Sequence, residues 1–101
     1  MNEMTKYLMS IASCVNNYCE FLKRDMNEYS NILGYVFRVH QDKIKKVSPQ
    51  GIALILMSLK DVKEEDYGKY IDTYKDKADD IIKNAVTIDE QLKKMSEIEV
   101  K

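Results

Sequence analysis

The sequence predicts an all-α protein: a long helical hairpin or bundle with one short buried middle helix. Apolar residues recur at intervals of three and four over two long stretches, residues 4–39 and 67–95, which is the period of an amphipathic helix. The chain holds one proline and three glycines, so it has few places for turns, and its elements are expected to be long. The one strong turn signal, from Ser48 to Gly51, separates the two stretches.

The first helix is predicted over about residues 3–46. Its heptad positions a and d are apolar from Met4 to Val39 except at Asp25, and the flanking e and g rows are largely apolar or small. An apolar face this wide covers roughly half of the circumference and requires two or more neighbouring helices. At 1.5 Å per residue this stretch would be about 54 Å long, so we expect it to bend or to form the spine of a bundle.

The middle helix is predicted over about residues 49–60. Ser48 can cap its first turn, and Pro49 can occupy the first helical position. Residues 52–59 are apolar nearly all round, which is typical of a buried helix, and the run is too short to span a membrane. A buried strand is the other interpretation of this run. Its alanine, leucine and methionine residues outnumber the β-branched ones, which favours the helix.

The last helix is predicted over about residues 62–97. From Tyr67 to Met95 its apolar residues alternate by four and three, which gives a heptad seam with mainly polar flanks and therefore a narrow contact. Thr87 and Glu90 match a capping box that would divide the helix. Because the heptad phase continues across this box, one unbroken helix is predicted as far as residue 97.

The wide apolar face of helix 1 needs more cover than the other two helices provide. The last helix offers only a narrow contact, and the middle helix reaches about 18 Å along the first. We therefore predict a homodimer in which helix 1 packs on its two-fold mate, with the last helices outside. A different protein covering the same face is the competing solution. The predicted dimer core comprises a and d positions of helix 1: Leu8, Ile11, Val15, Leu22, Tyr29 and Val36.

Length, charge and composition limit the classes of protein that need to be considered. The 101 residues predict one domain, 1–101. The 16 basic and 17 acidic residues give a net charge of -1, whereas dedicated nucleic-acid binders usually carry a strong basic excess. No apolar run is long enough to cross a bilayer. The abundance of lysine, isoleucine, asparagine, tyrosine and methionine is typical of an AT-rich genome, such as that of a bacterium, a phage or a virus.

The two cysteines and the single histidine are not expected to form a site. Cys14 and Cys19 lie five residues apart, which on a helix points their side chains in directions too different for a disulfide. Reduced thiols fit a cytoplasmic protein. His40 lies at least 21 residues further along the same predicted helix, about 30 Å away, so no Cys–His pair is expected.

No catalytic, metal-binding or nucleotide-binding motif is present in the sequence, so neither an enzyme nor a metal or cofactor is expected. Asp72, Asp76 and Asp80 have the spacing to share one helix face and meet a divalent cation, which keeps a carboxylate metal enzyme as a third hypothesis. Intervening lysines, including Lys75 and Lys77, favour a solvated face of salt bridges instead.

The preferred interpretation is a non-enzymatic protein–protein interaction module that acts as an adaptor, a chaperone or an inhibitor. Its expected partner contacts are tyrosines on the flanks of the helical seams, because amphipathic aromatic side chains are favoured in contact hot spots. These tyrosines are Tyr7, Tyr35 and Tyr70. The alternative is a small nucleic-acid-associated regulator that uses the basic segment 38–46, although cations there also complement the C-terminal dipole of helix 1. Its contacts would be Arg38, Lys43, Lys45 and Lys46.

Overall fold

Seven α-helices and two 3₁₀ turns make up the protein in a computed structural model, which describes residues 2–101. This part of the chain contains no β-strand, so the predicted all-α fold is confirmed, including its short buried middle helix. The 3₁₀ turns cover Met26–Tyr29 and Glu64–Asp66. The α-helices are α1 Glu3–Leu22, α2 Ser30–Val39, α3 Gln41–Ile44, α4 Pro49–Ser58, α5 Tyr67–Tyr74, α6 Ala78–Asn84 and α7 Ile88–Ser96.

Helix α4 lies at the centre of the fold. Its first turn forms as the sequence predicts: the Ser48 hydroxyl accepts a hydrogen bond from the backbone N–H of Gly51 at 3.0 Å, and Pro49 opens the helix. Every residue from Gly51 to Met57 is buried, because α1, α6 and α7 all pack against this helix. The apolar run therefore serves as the common core surface, a position that the heptad pattern assigned to helix 1.

Helix α1 ends at Leu22, about halfway along the helix that was predicted over 3–46. Lys23 adopts the left-handed conformation (φ 58°, ψ 40°), and the backbone N–H of Arg24 donates to the carbonyl oxygen of Cys19 at 2.9 Å. The N–H of Lys23 donates to the carbonyl of Glu20, which completes a Schellman motif. The prediction of one continuous first helix is therefore wrong, because the backbone turns away where the polar residues 23–25 begin.

A capping box restarts the chain after this turn. The Asp25 carboxylate accepts from the backbone N–H of Asn27 at 2.9 Å, and the Glu28 carboxylate accepts from the backbone N–H of Asp25 at 3.3 Å. Helix α2 follows the 3₁₀ turn directly, and a further bend at His40 separates it from α3. The predicted first helix is thus three helices with two changes of direction.

The prediction of one continuous last helix over 62–97 is also wrong, because the chain there forms three helices, α5, α6 and α7. Between α5 and α6 the N–H of Lys77 donates to the carbonyl of Tyr74 at 2.9 Å, which tightens the turn. Between α6 and α7 the Thr87 hydroxyl accepts from the N–H of Glu90 at 3.1 Å, and the Glu90 carboxylate accepts from the N–H of Val86 at 3.2 Å. The Thr87 cap divides the helix although the heptad phase continues through it, and the Glu90 carboxylate accepts its reciprocal bond from Val86 instead of Thr87.

The helix breaks allow one chain to cover its own apolar faces. Four side chains of the predicted dimer core are completely enclosed: Ile11, Val15, Tyr29 and Val36. They lie inside a single chain and not at a surface for a second copy, whereas Leu8 and Leu22 are partly exposed. The molecule measures 34 × 30 × 24 Å, too short for the 54 Å spine estimated from the helical rise. The predicted helix 1 therefore does not need a second copy to cover its apolar face, and the homodimer itself stays a prediction.

Within residues 2–101, every helix is too short or too polar to cross a lipid bilayer. The longest, α1, has 20 residues but carries Glu3, Lys6 and Glu20 together with several serines and asparagines. The most apolar helix, α4, has only 10 residues.

Candidate functional site

Four large apolar side chains are strongly exposed in the described part of the chain: Met9, Phe21, Val39 and Val86. Phe21 is 79% exposed and Val86 is 92% exposed, the two highest values of the four. These two residues line one groove of about 350 Å³, which we call the Phe21 groove. Its other lining residues are Leu22, Thr87, Ile88 and Asp89.

The helix breaks create the Phe21 groove. Phe21 stands in the last turn of α1, which the left-handed Lys23 brings to an end, and Val86 stands in the short connection between α6 and α7. Phe21 also lines a second, shallower groove of about 290 Å³ together with Glu20 and Lys23. The Phe21 ring is therefore a ridge between two grooves, with an apolar floor on one side and charged side chains on the other.

Covering this surface would be favourable. The exposed part of the Phe21 side chain is on the order of 150 Å², given that a whole aromatic side chain buries roughly 150–250 Å². Complete burial of a phenylalanine side chain is worth roughly 1.5–3 kcal/mol, so covering the exposed part of Phe21 would contribute about 2 kcal/mol before the costs of association. An exposed aromatic ridge beside an apolar groove is a typical contact surface, because apolar area concentrated in one place favours association over solvation.

Tyr7 has a structural role at the start of α4. The single proton of its half-buried hydroxyl is shared between the backbone carbonyl oxygens of Ile44 and Val47, which both accept from it. Burial, with a smaller contribution from the nearby Asp79 carboxylate, raises the pKa of Tyr7 to about 12. Tyr7 was predicted to contact a partner, but its hydroxyl is hydrogen-bonded within the chain.

Asp79 of α6 completes this junction. The Ser48 hydroxyl donates to its carboxylate, and the Ser48 backbone N–H donates to the second carboxylate oxygen at 3.4 Å. A negative charge at the N-terminus of α4 also complements the helix dipole. We call Tyr7, Ser48 and Asp79 the α4 junction; it joins α1, the turn before α4, and α6.

The other two predicted partner tyrosines pack against neighbouring side chains. The Tyr35 ring lies edge-on to Tyr67, with centroids 5.6 Å apart, and the Arg38 guanidinium lies 5.7 Å from the Tyr35 centroid. Tyr70 lies edge-on to Tyr74 at 5.5 Å. None of the three predicted tyrosines lines the Phe21 groove, so the structure does not bring them together into one surface.

Three of the four predicted basic contacts line a single cleft of about 430 Å³ between α3 and the end of α5. The fourth, Arg38, lies on α2 beside Tyr35 and does not line this cleft. Four lysines and two aspartates face the cleft, so its lining is basic in a chain whose net charge is -1. The lining residues are Asp42, Lys43, Lys45, Lys46, Val47, Lys75 and Asp76.

Carboxylates neutralise most of this basic cleft. The ammonium groups of Lys43 and Lys75 share the Asp72 carboxylate, at 2.7 and 3.4 Å. These cations lower the pKa of Asp72, chiefly through the hydrogen bond from Lys43. Lys45 pairs with Asp42 at 2.8 Å. Most lysines of the cleft therefore form ion pairs with neighbouring carboxylates.

The hypothesis of a carboxylate metal site loses its geometric basis. Asp72 lies on α5, Asp76 lies in the turn after it and Asp80 lies on α6, so the single helix face expected for all three is not formed. Among residues 2–101, no group of three or more histidine, cysteine, aspartate and glutamate side chains is placed to hold a metal ion. Cys19 is buried, and burial raises the pKa of its thiol.

Neither principal residue of the Phe21 groove, Phe21 or Val86, was predicted as a site residue from the sequence. Phe21 was counted in an apolar flank of helix 1, and Val86 fell outside the heptad seam. The signals that locate them are the polar run after Leu22 and the capping box at Thr87, since an apolar residue next to a helix end has few neighbours to cover it. Comparison with protein-family models, with curated proteins and with solved structures finds no match to this chain.

Proposed function

We propose that the chain is a small non-enzymatic protein-interaction module, an adaptor, chaperone or inhibitor, whose contact surface is the Phe21 groove. The observation that carries this proposal is the exposure of Phe21 and Val86 in one groove, whereas the other large apolar side chains of residues 2–101, apart from Met9 and Val39, are buried or partly buried. Isolated exposed apolar residues are common, but two large ones sharing a groove indicate a binding surface.

The shape of the surface indicates what kind of partner segment it would accept. A groove of about 350 Å³ is at the lower end of the roughly 300–1,000 Å³ typical of ligand pockets. It accepts one or two large apolar side chains of a partner, while the Phe21 ring inserts into the partner in return. Asp89 on one side and Lys23 on the other supply polar contacts at the rim.

Selection from a displayed library of short peptides tests this function directly. Peptides with a large apolar anchor are expected to be enriched on the wild-type protein, and the double variant Phe21→Ser/Val86→Ser is expected to bind them at least tenfold more weakly, because it removes both walls of the groove. Affinities are measured by isothermal titration calorimetry on purified peptides.

Met9→Ser is the matched control for this experiment. Met9 is also an exposed apolar residue of α1, at 55% exposure, but it lies about three turns from Phe21 and does not line the groove. The Met9→Ser variant should bind the same peptides with the affinity of the wild-type protein. A library that yields no enriched peptide, or peptides that bind the double variant equally well, would refute the proposed function.

The basic cleft supports the second candidate, a nucleic-acid-associated regulator, because Lys43, Lys45 and Lys46 face one cavity together with Lys75. On this hypothesis the wild-type protein is retained on DNA or heparin columns, and added salt shortens its retention. The Lys46→Glu variant should be retained less than the wild-type protein at the same salt concentration. Lys46 is chosen because it forms no ion pair with any residue in 2–101, so its substitution leaves the salt bridges intact. Elution with the unbound fraction at low salt would exclude this candidate.

A further inference from the structure

We infer that residues 86–101, which we call the α7 flap, undock from the rest of the protein as a unit while the other helices stay folded. The flap consists of Val86, the Thr87 cap, α7 and the C-terminal residues after it. It packs mainly against α4, α6 and α1. Its undocking therefore uncovers one side of the apolar helix α4.

No polar contact ties the flap to the helices before it. Within the described chain, the hydrogen bonds and ion pairs of residues 86–101 reach back no further than Ala85, which directly precedes the flap. Other helices are joined across the fold. The Lys43 ammonium links α3 to the Asp72 carboxylate of α5 at 2.7 Å, and the α4 junction links α1 and α6 to the turn before α4. No hydrogen bond or ion pair of this kind resists undocking of the flap.

Charge attraction across the boundary of the flap is weak. Arg24 and the Asp89 carboxylate of the flap form no ion pair, and the guanidinium of Arg24 donates instead to the Tyr29 hydroxyl at 2.9 Å. This hydrogen bond contributes most to the raised pKa of Arg24, whereas Asp89 contributes least. Within the flap, Lys94 pairs with Glu90 at 3.7 Å. The flap therefore depends on apolar packing for its attachment.

The apolar packing of the flap is narrow. Met95 is the only one of its side chains that is completely enclosed. In α4, by contrast, all residues from Gly51 to Met57 are buried. The other apolar residues on the packed face of the flap are only partly buried, and these are Ile88, Leu92, Ile98 and Val100. Few enclosed contacts have to be broken for the flap to undock.

A buried amide group on the same face opposes docking. Gln91 lies between Ile88 and Met95 along α7 and is 8% exposed. Its Nε2 donates to the carbonyl oxygen of Ala85 at 3.3 Å, but no group within residues 2–101 donates to its buried Oε1. An amide oxygen that is buried without a donor lowers the gain in free energy from docking.

The connection before α7 has the properties of a hinge. Ala85 (φ −112°, ψ 132°) and Thr87 (φ −114°, ψ 157°) are extended, and Val86 between them is 92% exposed. A change of backbone angles at this connection therefore disturbs almost no packed side chain. Since α7 has only 9 residues, it is too short to remain a stable helix in water once it has undocked. Undocking thus exposes its backbone amides to solvent.

The flap carries one wall of the Phe21 groove. Residues 86–89 belong to the flap, whereas Phe21 and Leu22 belong to α1. The groove is complete only while the flap is docked, and undocking separates its two walls. This consequence for binding rests on the proposed function, whereas the flap itself does not.

Native-state hydrogen exchange of the full chain, followed by NMR without any peptide, tests the flap. The backbone amides of α7 are expected to exchange at least about tenfold faster than those of α4, because undocking requires less than complete unfolding. Low concentrations of urea should accelerate exchange steeply in α4 and only slightly in α7, because complete unfolding exposes more surface than undocking does.

Ile71→Val separates undocking from complete unfolding. Ile71 is completely enclosed in α5, and the loss of one methylene group there should accelerate exchange in α4 about fivefold. Exchange in α7 should keep the wild-type rate, because α5 stays packed while the flap is open. Met95→Ala is the matched variant inside the flap. It should accelerate exchange in α7 at least about tenfold, and exchange in α4 should rise as well, since the flap is also open in the unfolded chain.

Two results would overturn the inference: equal exchange rates with equal urea dependence in α7 and α4, or an acceleration by Ile71→Val that is as large in α7 as in α4. These failures are separable from a failure of the proposed function. A protein that binds anchored peptides but exchanges α7 only on complete unfolding disproves only the flap. A flap that opens on a protein that selects no peptide disproves only the binding surface.

Discussion

Replacing Leu54 with alanine is expected to lower the free energy of unfolding by about 3 kcal/mol, within the roughly 2–5 kcal/mol typical of such substitutions in a core. Leu54 is fully enclosed in α4, and this helix has α1, α6 and α7 packed against it. Neighbours on several sides cannot all move inward to close the cavity. Alanine is the best helix former, so the substitution isolates packing from helix propensity.

Urea unfolding followed by far-ultraviolet circular dichroism measures this change. The matched control is Met9→Ala, a change of similar volume at an exposed position of α1, which should alter the free energy of unfolding by less than about 0.5 kcal/mol. A loss smaller than about 1 kcal/mol at Leu54 would show that α4 is not enclosed by its neighbours. The expected loss is a large part of the roughly 5–15 kcal/mol that stabilises an ordinary domain.

Raising the pH from about 9 to about 12 is expected to destabilise the protein by on the order of 3 kcal/mol. Burial raises the pKa of both Tyr7 and Tyr18 to about 12, from an ordinary value of 10.0. The unfolded chain releases these two protons near pH 10, whereas the folded chain retains them until about pH 12. Stability from these groups is therefore complete below pH 10 and is lost between pH 10 and 12. A shift of two pKa units corresponds to about 2.7 kcal/mol for a buried group such as Tyr18, and solvent screening of the partly exposed Tyr7 reduces its share by about half.

Tyrosinate absorbance and circular dichroism, recorded on the same samples, test this result. The chain has seven tyrosines and no tryptophan, so the long-wavelength absorbance reports tyrosine ionisation alone. Part of that absorbance should appear together with the loss of helix. Tyr18→Phe removes the more buried of the two groups and should remove more than half of the loss of stability between pH 10 and 12. Ionisation of all tyrosines without loss of helix would contradict the expectation.

Local signals predicted the parts of the fold that depend on neighbouring residues. Ser48 and Pro49 mark the start of α4, and the apolar run after them predicts its burial. The two long helices were predicted too long, because periodicity shows which side of a segment is apolar. It does not show whether the helical conformation of the backbone continues from one turn to the next. Lys23 takes a left-handed conformation that glycine usually occupies, so the sequence there gives only a weak stop signal.

The candidate surface was harder to predict than the fold. Whether Phe21 is covered depends on where α1 stops and on which helix passes nearby, and both are settled by tertiary packing. The same limit explains Tyr7, because its hydroxyl contacts carbonyl groups 37 and 40 residues further along the chain. Sequence spacing gives no information on contacts at that separation.

The α4 junction has a consequence for the order in which the protein can fold during synthesis. Its hydrogen bonds join residues separated by 31 to 40 positions, so each closes a long loop whose entropic cost precedes its stabilising contact. The apolar α4 leaves the ribosome before Asp79 and well before α7. For that interval its first turn lacks the tertiary acceptor and two of its three packing partners, α6 and α7, are missing, so the nascent chain exposes an apolar helix that favours association with other apolar surfaces.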